Sequence, residues 1–283
     1  MRKTVSKCII VLGMHRSGTS AFTGVLNILG VELGSNLMEP TKENPRGYFE
    51  KRAVMEINDE ILNILGSSWD DDFFSPDENW WTNDSLAIFR DKIKKLVEND
   101  LMGYEMIGIK DPRICILLPF WLRVISKLNL APYFVIVLRN PAEVACSLRK
   151  RNGFSTEKSL RLWITHILST EHHTRGLPRA FCSYDKLISD SEKTIRHISK
   201  SLGISFPKTY QDTKYRIRQF ISPALRHYEC QIPENNTPLS ELVYECFSLL
   251  EEPARTGGEL NEQSLSIIDS VQKKLIAAKY SVP

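Results

Sequence analysis

Four short apolar runs punctuate the chain: Cys8–Leu12, Met106–Ile109, Tyr133–Leu138 and Ala180–Tyr184. They are continuous rather than alternating, the pattern of strands buried on both faces of a parallel sheet. Helical spacing follows each. Phe22, Val25, Leu26 and Leu29 line one face of Ser20–Leu29, and a further helix is expected over about Ser191–Leu202. Strands alternating with helices predict an α/β fold around a parallel sheet. Right-handed crossovers then bring the strand ends, and any ligand, to one edge. The interval 31–105 is less regular. It holds a Pro/Gly-rich loop (Glu39 to Gly47), helices near 52–65 and 84–100, and an aromatic, acidic loop from Trp69 to Trp81. Beyond Gly203 the chain is irregular and then helical, ending in a stripe of Leu265, Ile268, Val271 and Leu275 that suits a core or a dimer face. A Pro-rich stretch near 205–240 suits a linker or a flap. With no clear boundary, residues 1–283 are expected to form one domain, a core over about 7–204 and a mainly helical C-terminal extension over about 205–283.

Composition narrows the class. The chain has 283 residues, 42% hydrophobic and 25% charged, with a net charge of +3. That is globular and too nearly neutral for a strongly basic nucleic-acid binder, though a local anion pocket remains open. No apolar run approaches the length of a membrane span, and the run Cys8–Leu12 is too short for a signal peptide, so a cytoplasmic protein without stable membrane insertion is expected. The cysteines at 8, 115, 146, 182, 230 and 246 form no Cys-x-x-Cys and read as reduced thiols.

The strongest local signal is Gly13-Met14-His15-Arg16-Ser17-Gly18-Thr19-Ser20, which follows a strand and opens a helix. Backbone N–H groups of such a loop curl around an anion at a positive helix end. Gly13 and Gly18 have the spacing of a nucleotide P-loop, but Thr19 stands where a nucleotide-hydrolysing loop needs lysine, and the cation is Arg16. The loop suits an anion and fits Mg-ATP poorly. Strand, G-x-x-[KR]-S-G-T-[ST], helix resembles the 5′-phosphosulfate loop of sulfotransferases that use 3′-phosphoadenylyl sulfate (PAPS), in the form of their bacterial branch. A second element agrees. Arg139 ends a strand, Asn140-Pro141 starts a helix, and Ser147 lies eight residues on. This pair resembles the family's 3′-phosphate element, and Tyr184 in Tyr-Asp-Lys-Leu187 resembles its Tyr-x-x-Leu near the adenine. The resemblance covers roughly residues 7–200. It implies a P-loop-type three-layer sandwich and PAPS as co-substrate with PAP as product. Gly13, His15, Arg16, Ser17, Gly18, Thr19, Ser20, Arg139, Ser147 and Tyr184 would bind it. The family's late Arg-Lys-Gly segment is not found; Arg216, Arg218 and Arg226 are its candidate substitutes.

Sulfuryl transfer needs charge stabilisation on the leaving phosphate and a base for the acceptor proton. Arg16 and the loop amides are the candidates for the first role, and Lys110 at the second strand's end is the candidate to bridge donor and acceptor oxygens. Glu50 in Asn44-Pro-Arg-Gly-Tyr-Phe-Glu50 is the candidate base that the resemblance favours, and Asp111 in Lys110-Asp-Pro-Arg113 is a second. Arg46 would set the charge of Glu50 or hold an anionic acceptor. Trp69, Trp80, Trp81, Phe73, Phe74 and Asp70-Asp-Asp72 suit either sugar recognition or a packed lid. His172-His173 lack metal-ligand spacing, and no metal is expected. The acceptor is a hydroxyl or amine of a small molecule or glycan, with a homodimer open. A P-loop kinase and a non-catalytic PAP-binding regulator are the competing readings.

Overall fold

The computed structural model describes residues 5–74, 76–221 and 237–279. Four parallel strands form its sheet: β1 (Ser6–Leu12), β2 (Met106–Lys110), β3 (Leu130–Leu138) and β4 (Arg179–Ser183), in the order β2-β1-β3-β4. The α/β fold class read from the sequence is the one observed. The first three runs extend by one to three residues. The fourth stops before Tyr184, because the Ser183 side chain accepts from the Lys186 N–H and turns the chain into a helix.

Side chains alternate between the two faces of the sheet, so each strand feeds two cores. Cys8, Ile10, Leu12, Phe134 and Ile136 point one way, and Ile9, Val11, Val135, Val137 and Cys182 the other. The first face is covered by α2 (Arg52–Ile64), α3 (Ala87–Asp100), α4 (Ile114–Ile125), α5 (Pro141–Asn152) and α6 (Thr156–His173). The second is covered by α1 (Thr19–Ile28), α7 (Tyr184–Ser189), α8 (Ser191–Leu202) and α9 (Tyr210–Phe220). This makes three layers. The C-terminal helices α10 (Pro238–Thr256) and α11 (Glu262–Lys279) join the first face, α10 packing on β4 and α6. Ile268, Val271 and Leu275 are buried there, which resolves the terminal stripe as core. No described helix is long and apolar enough to cross a membrane.

The topology positions the site. The chain steps from β1 outward to β2, then crosses back to β3 on the other side of β1. In such sheets the crevice for a ligand opens beyond the carboxyl ends of the strands at this reversal. Gly13 follows β1, Lys110 ends β2, Arg139 follows β3 and Tyr184 follows β4. All four strands therefore deliver a candidate residue to one edge.

The cysteine reading needs one correction. Cys8, Cys115, Cys182 and Cys246 are free and buried, whereas Cys146 is disulfide-bonded. Cys230 and Arg226 lie outside the described residues.

Candidate active site

A cavity of about 510 Å³ opens at that edge. Its lining includes His15, Arg16, Gly18, Thr19, Ser20, Glu50, Lys110, Arg139, Ser147 and Tyr184. Residues read as far apart as 15 and 184 thus share one space.

The loop is shaped by left-handed backbone. Arg16 has φ 70° and Gly18 φ 91°, left-handed positions of the kind that let a loop curl around an anion. Glycine is required at 18 for a second reason: a Cβ there would sit 2.1 Å from the Tyr184 ring. Arg16 has a Cβ and holds the same half of φ space, a strain typical of functional loops. Gly18 caps α1 without any side-chain hydrogen bond, so the first N–H groups of the helix keep their affinity for an anion. Ser17 Oγ is buried with no protein partner.

Arg139 is held from two sides. Its Nε donates to Glu143 (2.8 Å), its Nη1 to the Arg16 carbonyl (3.1 Å), and its guanidinium lies 4.8 Å from the Tyr184 ring centroid. Its Nη2 is buried with no partner, although a buried guanidinium nitrogen normally has one. Arg16 Nε donates to Ser147 Oγ at 2.8 Å, which joins the loop to α5. The orphaned donor of Arg139 and the uncapped start of α1 at Gly18 and Thr19, which share the cavity, fit a ligand with two separated anionic groups.

Glu50 and Lys110 form a buried ion pair beside this region. Lys110 Nζ also donates to Ser20 Oγ (3.1 Å) and the Tyr48 carbonyl (3.2 Å), so its three N–H bonds are all used. Asp111 is different. It is fully buried and absent from the cavity wall, and it accepts from the Arg113 backbone N–H (2.8 Å) and from Arg113 Nη1 (3.2 Å). Burial, opposed by Arg113, pushes its carboxyl up to about 6. Its geometry positions Arg113, which does line the cavity and is also gripped by Asp59.

His15 lines the cavity with its ring 4.4 Å from that of Trp69. Burial, then Arg113 and Arg151, holds it well below the usual histidine range, so it is neutral near pH 7. Arg46 lies on the rim, where its Nη1 donates to the Gln219 carbonyl (2.9 Å) and its guanidinium stacks on Phe220. It makes no ion pair with Glu50. Of the aromatic loop only Trp69 reaches the cavity; Phe74 and Trp80 are core residues. The acidic triplet fastens the loop instead: Asp70 to Lys158 (3.1 Å), Asp71 to Ser67 (2.8 Å) and Asp72 to Arg161 (3.3 Å). Arg216 and Arg218 lie on α9 away from the cavity, and from α9 only Phe220 lines it. Among the described residues no group of three His, Cys, Asp or Glu side chains is placed to hold a metal ion.

Sequence reasoning singled out neither Arg151, Met38 and Met55 on the cavity wall nor the part played there by Phe220. Arg151 carried a usable signal: it lies four residues after Ser147, on the same face of α5.

No family model matches the chain, and no curated protein matches it. Solved structures with a similar arrangement include the sulfotransferase domain from the Synechococcus PCC 7002 olefin synthase, at 14% identity and a TM-score of 0.48, covering 96% of each chain. Another is the sulfotransferase domain from the curacin biosynthetic pathway, at 14% identity and a TM-score of 0.42, covering 94% of this chain and 98% of that one.

Proposed function

We propose that the chain is a PAPS-dependent sulfotransferase that moves a sulfuryl group to a hydroxyl or amine of a small-molecule or glycan acceptor, releasing PAP. One observation carries the reading: a single cavity is lined by a P-loop-like anion cradle with Arg16, by a second cation site at Arg139 and Ser147, and by the Glu50–Lys110 pair. Two anion sites in one cavity suit a nucleotide with phosphates at both its 5′ and 3′ positions. We read residues 1–283 as one domain, in which α10 and α11 buttress the sheet.

In this reading the loop amides and Ser17 hold the 5′-phosphosulfate, Arg139 and Ser147 hold the 3′-phosphate, and Tyr184 faces the purine. Glu50 takes the acceptor proton as the acceptor oxygen bonds to sulfur. The sulfur–oxygen bond to the phosphate breaks, and its electron pair stays on PAP. Arg16 and Lys110 oppose the charge that builds on that oxygen. Lys110 must release at least one of its three present partners to do so. Asp111 acts on the site by holding Arg113.

A ligand panel tests the donor assignment. PAP at about 100 times its Kd is expected to stabilise the protein by about 2.7 kcal/mol, with AMP well behind. Arg139→Ala is expected to erase the difference. Equal stabilisation by PAP and AMP removes the basis for the reading. Magnesium-dependent stabilisation by ATP alone favours a kinase, a weaker fit because Thr19 stands where such a loop needs lysine.

A further inference from the structure

Among the described residues Arg151 is a cation without a countercharge. It sits in the last turn of α5, half-buried, and lines the cavity. Its Nε donates to Asn152 Oδ1 at 2.6 Å, and its guanidinium lies 5.3 Å from the Trp69 ring centroid. No carboxylate of the described residues lies within ion-pair distance. Glu43 and Glu50 act on it only from further off, while Arg16, its strongest charged neighbour, repels it. Its other N–H groups have no partner among the described residues, and a guanidinium in that condition presents a planar fork suited to a carboxylate or phosphate.

Arg113 also lines the cavity, with part of its fork in use. Asp59 holds its Nε and Asp111 its Nη1, which leaves Nη2 without a protein partner among the described residues. Both arginines line the cavity together with His15, and Arg151 stacks on the tryptophan that packs against the His15 ring. His15 Nε2 is itself buried and unpartnered. The donor's two anionic ends already have their own residues in the loop and at Arg139 and Ser147. Resting on the sulfotransferase reading, we propose that Arg151 and Arg113, around the His15–Trp69 pair, form a subsite for an anionic group of the acceptor, so that the acceptor is a hydroxyl compound carrying a carboxylate or phosphate. Arg151 supplies the net charge; Arg113, neutralised by its two carboxylates, supplies a directed donor held in place.

The test uses the full chain saturated with PAP, so that the donor sites are filled. Calorimetry or thermal shift then compares 4-hydroxybenzoate and phenyl phosphate with neutral 4-methylphenol. The anionic probes are expected to add to the PAP effect and the neutral one to add nothing. Arg151→Gln is expected to weaken the anionic probes roughly 10- to 100-fold, the worth of a charge-assisted fork, while the Kd for PAP stays within about twofold. Arg151→Lys keeps the charge without the fork and is expected to fall between. Equal binding of neutral and anionic probes overturns the proposal. So does competition of the anions with PAP, or a tenfold loss of PAP affinity in Arg151→Gln, either of which assigns Arg151 to the donor. If wild type fails to bind PAP at all, the sulfotransferase reading falls first; PAP binding without a preference for anions sinks only the subsite.

Discussion

The two sides of the cavity are built by different means. The donor side is made of strand ends: the loop after β1, Lys110 on β2, Arg139 after β3 and Tyr184 after β4. Parallel register fixes their relative positions, since Val11 pairs with both Lys110 and Val135, and Leu138 pairs with Ser183. The other part of the lining is made of side chains on loops and helix ends, among them Met38, Trp69, Arg113 and Arg151. Nothing in the sheet holds these. Ion pairs and ring contacts do, including Asp70 with Lys158 and Arg151 over Trp69. A phosphate recognised by backbone groups needs a fixed loop. An acceptor recognised by side chains can change while the sheet stays as it is.

The sharpest separation of the two sides is chemical. Glu50→Gln is expected to lower turnover by roughly 100- to 10,000-fold and leave PAP affinity near wild type. The partner Lys110 stays buried with two oxygen acceptors, so folding is checked by circular dichroism alongside. Asp111→Asn is expected to lose less, through Arg113. If the two variants trade places, the base lies in the Lys110–Arg113 segment. Gly18→Ala should break the donor side alone. Its Cβ would overlap the Tyr184 ring in a backbone conformation that alanine disfavours, at a cost of about 1–3 kcal/mol. That cost is to be read as a fall in the denaturation midpoint together with loss of PAP binding. Retention of PAP binding would show that Tyr184 yields easily and does not hold the loop.

This division explains what could be read from the sequence. Strands buried on both faces announce themselves as apolar runs, and all four were legible, as was the loop between the first strand and its helix. Arg139 and Ser147 were legible because one strand and one helix set their spacing. The acceptor wall was not. The tryptophans of residues 69–81 look alike in sequence, yet Trp69 faces the cavity and Trp80 enters the core, a choice made by contacts with α6 and α4. Lys110-Asp-Pro-Arg113 named a cluster but could not assign its roles: the buried carboxylate turns to Arg113 and the lysine to Glu50. Arg151 does not stand out from Arg149 and Lys150 in sequence, because the helix dipole favours any cation in the last turn.

His15 lies where the two sides meet, and acid separates its contribution. Its folded value is depressed below the unfolded 6.5. The neutral ring therefore contributes stability fully above pH 6.5, and that contribution is lost as pH falls below it, by up to about 1.4 kcal/mol per pH unit. His166, held down to about 4 by burial, adds its own slope. His15→Asn should accordingly flatten the decline of stability below pH 6.5 by one proton's worth without removing it. An unchanged slope in urea titrations at pH 5 and 7 would mean that the ring charges freely beside Arg113 and Arg151.

The smallest expected effect tests whether the acceptor wall is held independently of the donor side. Asp70 and Lys158 are each about one-third exposed, and the lysine also lies 4.3 Å from the Phe154 ring centroid. Solvent screens such a pair, so a double-mutant cycle of Asp70→Asn with Lys158→Met should give a coupling of about 0.2–1 kcal/mol. Lys158→Met alone should cost a little more, since it also forfeits the ring contact. PAP affinity should not move, because neither residue touches the loop, Arg139 or Ser147. Anionic probe affinity in the PAP complex should fall by a small factor, because the Asp70 pair fastens the loop that carries Trp69 under Arg151. A PAP affinity that falls in step with the loop's stability would show that the wall and the strand ends move as one, and the acceptor side would then be no freer to vary than the sheet.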